Sequence, residues 1–590
     1  METRTSPRDY WRLLASYLKP QRGKVLLLAA LVLTSIGLQL ASPLILRRFI
    51  DDALDGEPLR TLLLIASVYI GFAILIQVIR LGETWTSEYV GWTATNDMRA
   101  DLAQHVLNLN MEFHNRHSPG ALIERVDGDI FMLGNFFSKF ILNVLGNVLL
   151  AVGVIILLFR IDWQIGLVVA LFGITLVAVM LGFGRFVAVR FVRSRQAYAD
   201  LMGFLEERIS GTEDIRSAGA NAYIMRRNDE QHQEVYATSD KSYRLSAVLN
   251  GSSQLLGVLG MVAALAIGAA RFKEGAITVG TVFVIFQYTQ LITHPLEEIA
   301  RQLRDFQQAA AAIQRIRALQ SERPTILDTG TTPLPAGSLA VDLDHITFAY
   351  SDGDGEPTLR DVAVQLGPER VLGVVGRTGS GKSTITKLLV RFVDPTEGAI
   401  RLGGVDLRDV PLENLRKRVA LVTQEVQLFR ATVRQNLTLF DDTIPDERVT
   451  ASLHQLGLGG WYDSLEEGLD TMLSSGGGGI SAGEAQILAM ARVFLRDPDV
   501  VILDEASSRL DPVTEARLEQ AIDTLLAGRT AIIIAHRLAT IERADEVLVM
   551  ADGRVAEHGN RATLAANPDS RFAALLRAGH DLVPTAEVTP

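Results

Sequence analysis

The first 300 residues alternate between long apolar runs and long polar stretches. Six apolar segments lie near 25–46, 61–82, 137–159, 163–184, 247–270 and 276–296. Each is close to the ~20 residues a helix needs to cross a hydrocarbon core, and so many in one chain do not fit a soluble interior. The pattern predicts an all-α, six-span membrane domain over residues 1–320. Ahead of the first run, RDYWRLLASYLK at 8–19 puts Tyr10, Trp11, Leu14, Tyr17 and Leu18 on one helical face. A helix of that kind lies in the membrane interface or on a protein surface. After Gln320 the period changes. Residues 321–338, SERPTILDTGTTPLPAGS, contain three prolines and several turn formers and read as a linker. Short apolar runs then alternate with helical patterns over 339–578, the signature of an α/β domain, with a tail at 579–590.

Composition agrees with that division. Apolar residues make up 48% of the 590, and mean hydropathy is +0.21, high for a soluble enzyme. The formal net charge of −11 argues against nucleic acid as the partner. The chain has no cysteine, which excludes disulfides, thiolate metal sites and a cysteine nucleophile. Lysine and arginine set the expected orientation. Residues 1–24 carry six, and the polar stretches 83–136 and 185–245 carry three and ten. The short connections at 47–60, 160–162 and 271–275 carry three, one and two. The bias places both termini, the long polar stretches and the α/β domain in the cytoplasm of a cell-membrane protein. Each long stretch has one break, HNRHSPGAL at 114–122 and SAGANAY at 217–223, and each break is a candidate docking knob.

Polar groups at membrane depth mark candidate substrate contacts or inter-helix hydrogen bonds. They are Gln39, Gln77, Arg80, Glu83, Asn143, Asn147, Asn250, Gln254, Gln287, Gln290 and His294, and the sequence does not choose among them. Arg80 and Glu83, three apart, are expected to form a local ion pair.

The strongest chemistry is GRTGSGKST, Gly376–Thr384, which fits the phosphate-loop pattern at every fixed position. VLGVVG before it suits a buried strand and ITKLLVRF after it suits a helix. Gly376, Gly379 and Gly381 let the backbone turn tightly, so that N–H groups from Arg377, Thr378, Ser380 and their neighbours can face one anion. The following helix points its positive end at the same anion. Lys382 can reach outer phosphates, and the Ser383 hydroxyl can ligate Mg2+. The chain therefore binds a nucleoside triphosphate. Further along, VVILDEASSRLD at 500–511 ends a strand in Asp504-Glu505, one carboxylate for hydrated magnesium and one to polarise a water. Tyr350 in ITFAYSD, Gln424 in LVTQEVQLF and His536 after AIIIA each have a nucleotide-contacting and a purely structural reading when taken alone. In SGGGGISAGEAQILAMAR, 475–492, glycines precede Ser481 and a helix follows, a second anion-binding geometry that lacks the lysine of a phosphate loop.

In this order the motifs resemble the ATP-binding cassette (ABC) transporter family, and six spans ahead of one cassette resemble the half-transporters of its exporter branch. RFVDPTEGAIRLGGVDLRDV (391–410) and LFRATVRQNL (428–437) add to the likeness, as do MRADLAQHVLNLNMEFHNRHSPGALIERVDGDI (98–130) and ISGTEDIRSAGA (209–220) in the membrane half. The resemblance implies that Tyr350 stacks on adenine and that Lys382 and the loop amides, Thr384 included, hold phosphates of ATP. Ser383 and Gln424 would ligate Mg2+ with Asp504 behind a water. Glu505 would be the general base, His536 the switch histidine, and Asp511 part of the dimer-interface loop. Ser481, Ala482, Gly483 and Glu484 would form the signature that closes on ATP held by the other cassette of a dimer.

The departures carry information. The family's usual LSGGQ is ISAGE here. Ala482 adds a methyl where backbone approaches phosphate, and Glu484 adds a negative charge worth on the order of 1–4 kcal/mol against a polyphosphate. Ser475 stands where exporters often have glutamate, and Arg509 replaces a small residue. The half-site for the chain's own ATP is thus complete, while the half-site offered to another cassette is altered. That asymmetry predicts a heterodimer with a homologous half-transporter, moving a small amphipathic substrate (drug, lipid or peptide) across the bilayer. A homodimeric exporter or flippase, an importer of metal chelates and an ATP-gated membrane regulator are the alternatives. Intact Glu505 and His536 favour turnover over gating. No substrate-capturing domain precedes the spans, which favours export.

Overall fold

The computed structural model describes residues 15–139, 144–350, 355–474, 480–504, 512–535 and 538–580. The chain divides into two compact units, Met1–Asn108 with His117–Arg323, and Leu109–Arg116 with Pro324–Pro590.

The first unit is helical. Its principal elements are α1 (Arg22–Leu54), α2 (Leu59–Leu107), α3 (Asp129–Lys139), α4 (Asn147–Ile161), α5 (Trp163–Ser210), α6 (Asn221–Lys273) and α7 (Val279–Ser321). A helix satisfies its backbone N–H and C=O groups within one segment, which lipid requires of a span. α5 and α6 run for 48 and 53 residues. At 1.5 Å per residue that is roughly 70–80 Å, more than twice the hydrocarbon thickness. The polar stretch 185–245 is therefore the outward continuation of two spans, with the short helix Thr212–Ser217 at its tip. The other polar stretch is broken where expected. It resolves into Met111–Arg116, a short helix Pro119–Ile123 capped by Ser118, and a π-helical turn Glu124–Gly128. Behind that turn the buried Asp129 carboxylate accepts from the Arg315 guanidinium of α7.

Among the described residues five helices are long and apolar enough to cross a membrane. The sixth expected span, 276–296, has a shorter apolar stretch, Val279–Thr293. That stretch is bounded by the described side chains, and within it the polar groups pack inward. Thr281, Tyr288 and Thr289 are all buried, and the Tyr288 hydroxyl donates to the Leu40 carbonyl at 2.6 Å. Tyr288 packs with Leu150, Val154, Ile165, Val169 and Ile285 in the core of this unit. A helix surrounded by other helices can hold polar groups that a lipid-facing one cannot. The expected interfacial helix at 8–19 lies mostly outside the described residues.

The second unit is α/β. Strands β1 (Val341–Phe348), β2 (Leu359–Leu366), β4 (Glu397–Leu402) and β5 (Val405–Asp406) form an antiparallel sheet in the order β2-β1-β4-β5. Strands β3 (Val371–Gly376), β6 (Val419–Val422), β7 (Val500–Asp504), β8 (Thr530–Ile534), β9 (Glu546–Ala551) and β10 (Arg554–Asn560) form the other sheet, in the order β10-β9-β3-β8-β7-β6. β3 pairs parallel with β8 and β9, and β7 pairs parallel with β6 and β8. Helices α8 (Lys382–Leu389) and α9 (Ala482–Arg496) belong to this unit. The parallel strands read as near-continuous apolar runs because both faces are covered: Val374, Ile502 and Ile532 enter one core, Leu503 and Ile533 the other.

The linker is docked rather than free. The Leu412 N–H donates to Asp328 at 2.8 Å, the Thr332 N–H to the Asp409 carbonyl at 2.9 Å, and the Arg418 guanidinium to the Pro335 carbonyl at 2.7 Å. Gly330 lies so close to Val410 that an added Cβ would sit 2.4 Å from its carbonyl carbon. The segment Leu109–Arg116 groups with this unit, tied to it by hydrogen bonds between Asn110 and Thr325 and from the Ile326 N–H to Asn110.

Candidate functional site

Parallel strands deliver their loops to one edge, and that edge gathers the chemistry. β3 ends at Gly376 and leads into the phosphate loop. β7 ends at Asp504, which is half-buried, and β6 ends two residues before the exposed Gln424. β8 ends at Ile534, just ahead of His536. Glu505, Asp511 and His536 themselves lie outside the described residues, as do Ser475 and Arg509.

The loop has the backbone the motif requires. Gly379 has φ +84°, in the left-handed region that side chains disfavour. At Gly376 the constraint is space: an added Cβ would sit 2.4 Å from the Met550 carbonyl oxygen of β9. Lys382 opens α8 and is buried, its ammonium donating to the carbonyls of Gly376 at 2.7 Å and Arg377 at 3.0 Å. The Ser380 hydroxyl is buried within the loop with no hydrogen-bond partner among the described residues. Arg377 and Thr378 form the exposed crest, and Ser383 is exposed on the first turn of α8. A cationic side chain, an unpartnered hydroxyl and a helix N-terminus converge here, which fits a polyphosphate. Gly376→Ala is expected to destabilise the cassette by about 1–3 kcal/mol through the backbone clash. Gly379→Ala, open to solvent, adds only left-handed strain of about 1–2 kcal/mol. Thermal melts and ATP titrations of the two variants check this order, and the Gly376 variant should be the weaker binder.

Tyr350 stands beside the loop. Its hydroxyl lies 3.3 Å from that of Thr384, and its ring packs edge-on to Phe348 at 4.8 Å with the Lys387 ammonium 5.4 Å from its centre. It lines a hollow of about 340 Å³ with Met111, Asn115, Thr358, Lys387 and Phe392, large enough for a purine base. The structure thus brings Tyr350 to Thr384, at the end of the phosphate loop.

The signature sits at the start of α9. The Ser481 hydroxyl caps the helix, accepting from the Glu484 N–H at 3.2 Å. The Glu484 carboxylate accepts in return from the Ser481 N–H at 2.9 Å and its hydroxyl at 2.8 Å. This reciprocal capping box gives Glu484 a structural task that its charge alone does not reveal. Ala482 is exposed and Gly483 buried. Among the described residues no hydrogen bond joins this helix start to the phosphate loop of the same chain.

Arg492, on α9, is a residue that sequence reasoning misses. Its guanidinium donates to the carbonyls of Asn436 at 2.7 Å and Gln427 at 2.9 Å, so it ties the signature helix to the segment that follows Gln424. Burial, with Arg496 adding to it, pulls its pKa below the ordinary arginine value. The stretch 475–492 ends on it without indicating a role. Only the fold brings 427, 436 and 492 together.

Comparison with known proteins gives the same assignment. A family model described as the ABC transporter transmembrane region matches residues 25–296, and one described as ABC transporter matches residues 359–508. The chain is 30% identical over 577 residues to an ATP-dependent lipid A-core flippase of Idiomarina loihiensis, covering 96% of this chain and 97% of that one. It is 29% identical over 576 residues to the uncharacterized ABC transporter ATP-binding protein YfiC of Bacillus subtilis, covering 95% and 92%. Its fold matches the structure of a bacterial Atm1-family ABC exporter with ATP bound, with a TM-score of 0.80 at 24% identity, over 96% of this chain and 99% of that one. The chain belongs to the ATP-binding cassette transporter family: it is an integral membrane half-transporter of exporter fold whose cassette is an ATPase coupled to transport.

Proposed function

We propose that this chain is one subunit of a heterodimeric exporter that uses ATP to move amphipathic or hydrophobic, lipid-like molecules out of the cytoplasmic side of the cell membrane. The observation that carries the reading is the asymmetry between its two half-sites. The loop with Lys382, Ser383 and Thr384, together with Gln424 and Asp504, offers a cation for phosphate and oxygen donors of the kind Mg2+ prefers. Tyr350 offers a ring for adenine. The signature, by contrast, has its Ser481 hydroxyl turned to its own Glu484 carboxylate. A phosphate presented there by another cassette would meet that carboxylate. A partner with an ordinary signature would complete the site over Glu505, and the altered signature would face the partner's slower site. The flippase relatives point to a lipid-like substrate, and the orientation follows from the charge bias.

A homodimer is the second reading, favoured by the capping box itself. Ala482 is exposed and Glu484 leaves the helix start regular, so the change does not deform α9.

Coupling would run through the two breaks. Leu109–Arg116 groups with the cassette of its own chain. Near the tip of the α5–α6 arm, Ile209, Tyr223 and Met225 are 70%, 57% and 58% exposed, an apolar surface suited to the partner's cassette. Breaking 217–223 with a proline and reversing the charge of the neighbouring Arg216 should leave ATP hydrolysis running while transport falls to background. The function itself is tested in proteoliposomes containing both subunits. ATP-dependent movement of a labelled lipid toward the face opposite the cassettes is expected. ATP hydrolysis without movement would favour a gated regulator, and movement toward the cassettes would favour import.

A further inference from the structure

The helical unit contains a polar cavity of about 240 Å³ whose lining includes Ser35, Gln39, Arg80, Glu83, Thr84 and Asn147. Four of the eleven polar candidates read from the sequence meet in it. Arg80 and Glu83 are three apart on α2, yet among the described residues they do not form an ion pair. The expected local pair is replaced by contacts across to α1. The Arg80 guanidinium donates to the Gln39 side-chain carbonyl at 3.2 Å, and Gln39 donates in turn to the Ser35 hydroxyl at 3.1 Å. Ser35 and Glu83 line the same cavity. Arg80 is thus steadied by a neutral group, and both charges face the same space.

The depth is informative. Arg80 lies about 30 Å along α2 from the turn that joins it to α1, a distance close to the full hydrocarbon thickness. The cavity therefore sits at the headgroup level of the leaflet away from that turn. At that level lipid headgroups carry their own charges, and two opposite charges lining one cavity can meet them there. A cation and a carboxylate side by side leave the cavity without net charge. An anion bound at Arg80 would meet Glu83, and a cation bound at Glu83 would meet Arg80. A ligand carrying both charges would satisfy both.

We propose that this cavity binds a zwitterionic group, an anion at Arg80 joined to an ammonium at Glu83, as in a phosphocholine or phosphoethanolamine headgroup. The proposal rests on the transporter reading and gives its substrate class. The test is calorimetric titration of the purified full chain in a maltoside detergent with three short-chain probes: phosphatidylcholine, phosphatidylglycerol and an alkyl trimethylammonium. The zwitterion should bind most tightly. Arg80→Gln and Glu83→Gln should each weaken it about tenfold or more, as loss of a charged hydrogen bond does. The charge-swapped double variant, Arg80→Glu with Glu83→Arg, should recover much of the loss if it melts at the wild-type temperature. Titration with chain-free phosphocholine separates the sources: equal affinity means a soluble zwitterion, and weaker binding means a lipid, with the site upheld either way. Equal affinity for all three amphiphiles, or phosphatidylglycerol bound as tightly as phosphatidylcholine and insensitive to Glu83→Gln, would overturn the site. ATP hydrolysis by the wild-type chain together with its partner, without amphiphile, tests the transporter reading separately.

Discussion

Glu505→Gln should leave ATP binding nearly intact and slow hydrolysis by about 10²- to 10⁴-fold, the range a positioned general base contributes. The side chains are nearly isosteric, so the change removes the basic oxygen and little else. Binding is carried by other groups: the buried Lys382 ammonium, the amides of Gly376–Thr384, and Tyr350 beside Thr384. The carboxylate before it, Asp504, stays at the end of β7 in register with Ile534 of β8. The complex with its partner should therefore retain ATP, and transport should stop with hydrolysis. Rapid-quench measurement of phosphate release, with filter-bound nucleotide counted in parallel, separates the two effects. Wild-type phosphate release by the variant would remove Glu505 from the role of base.

Much of this architecture is legible in the sequence. The phosphate loop is recognisable because its chemistry forces residue types at fixed spacing, and the structure shows why Gly376 cannot take a Cβ. The change from long apolar runs to short ones near Gln320 marks where lipid stops dictating the chain. What stays hidden depends on partners distant in sequence. Arg80 and Glu83 have the spacing of an i, i+3 pair, but α1 brings Gln39 to Arg80, and the guanidinium bonds there instead. Residues 276–296 read as a span, but composition alone does not show that Thr281, Tyr288 and Thr289 turn into a helical core. The linker reads as a tether because prolines and turn formers carry no sign that Leu412 and Arg418 bind it. Glu484 is a different omission. The Ser-x-x-Glu spacing of a capping box is present at 481–484, but a charge beside a phosphate is the more conspicuous feature of the same residue.

That geometry sharpens the second prediction. Ala482→Gly with Glu484→Gln should raise the turnover of the complex about fivefold or more and shorten the time one nucleotide stays bound. The carbonyl of the introduced glutamine can still accept from Ser481, so the helix start survives. What goes is one negative charge facing the partner's ATP, a repulsion on the order of 1–4 kcal/mol, and each 1.4 kcal/mol is about a factor of ten. The helix itself should lose no more than about 1 kcal/mol, the contribution of an acidic group to a helix N-terminus. Retention is measured by chasing bound labelled ATP with excess cold ATP. An unchanged chase curve would mean that ISAGE is as competent as LSGGQ, and the asymmetry would lose its meaning.

The most direct test of the account uses the chain without any partner. Purified in detergent, its mass is measured by light scattering and its ATPase rate is determined before and after ISAGE is converted to LSGGQ. The heterodimer account predicts a chain that fails to form a stable, fully active dimer alone and gains activity when the signature is restored. A stable homodimer with full turnover, unchanged by the restoration, would contradict it.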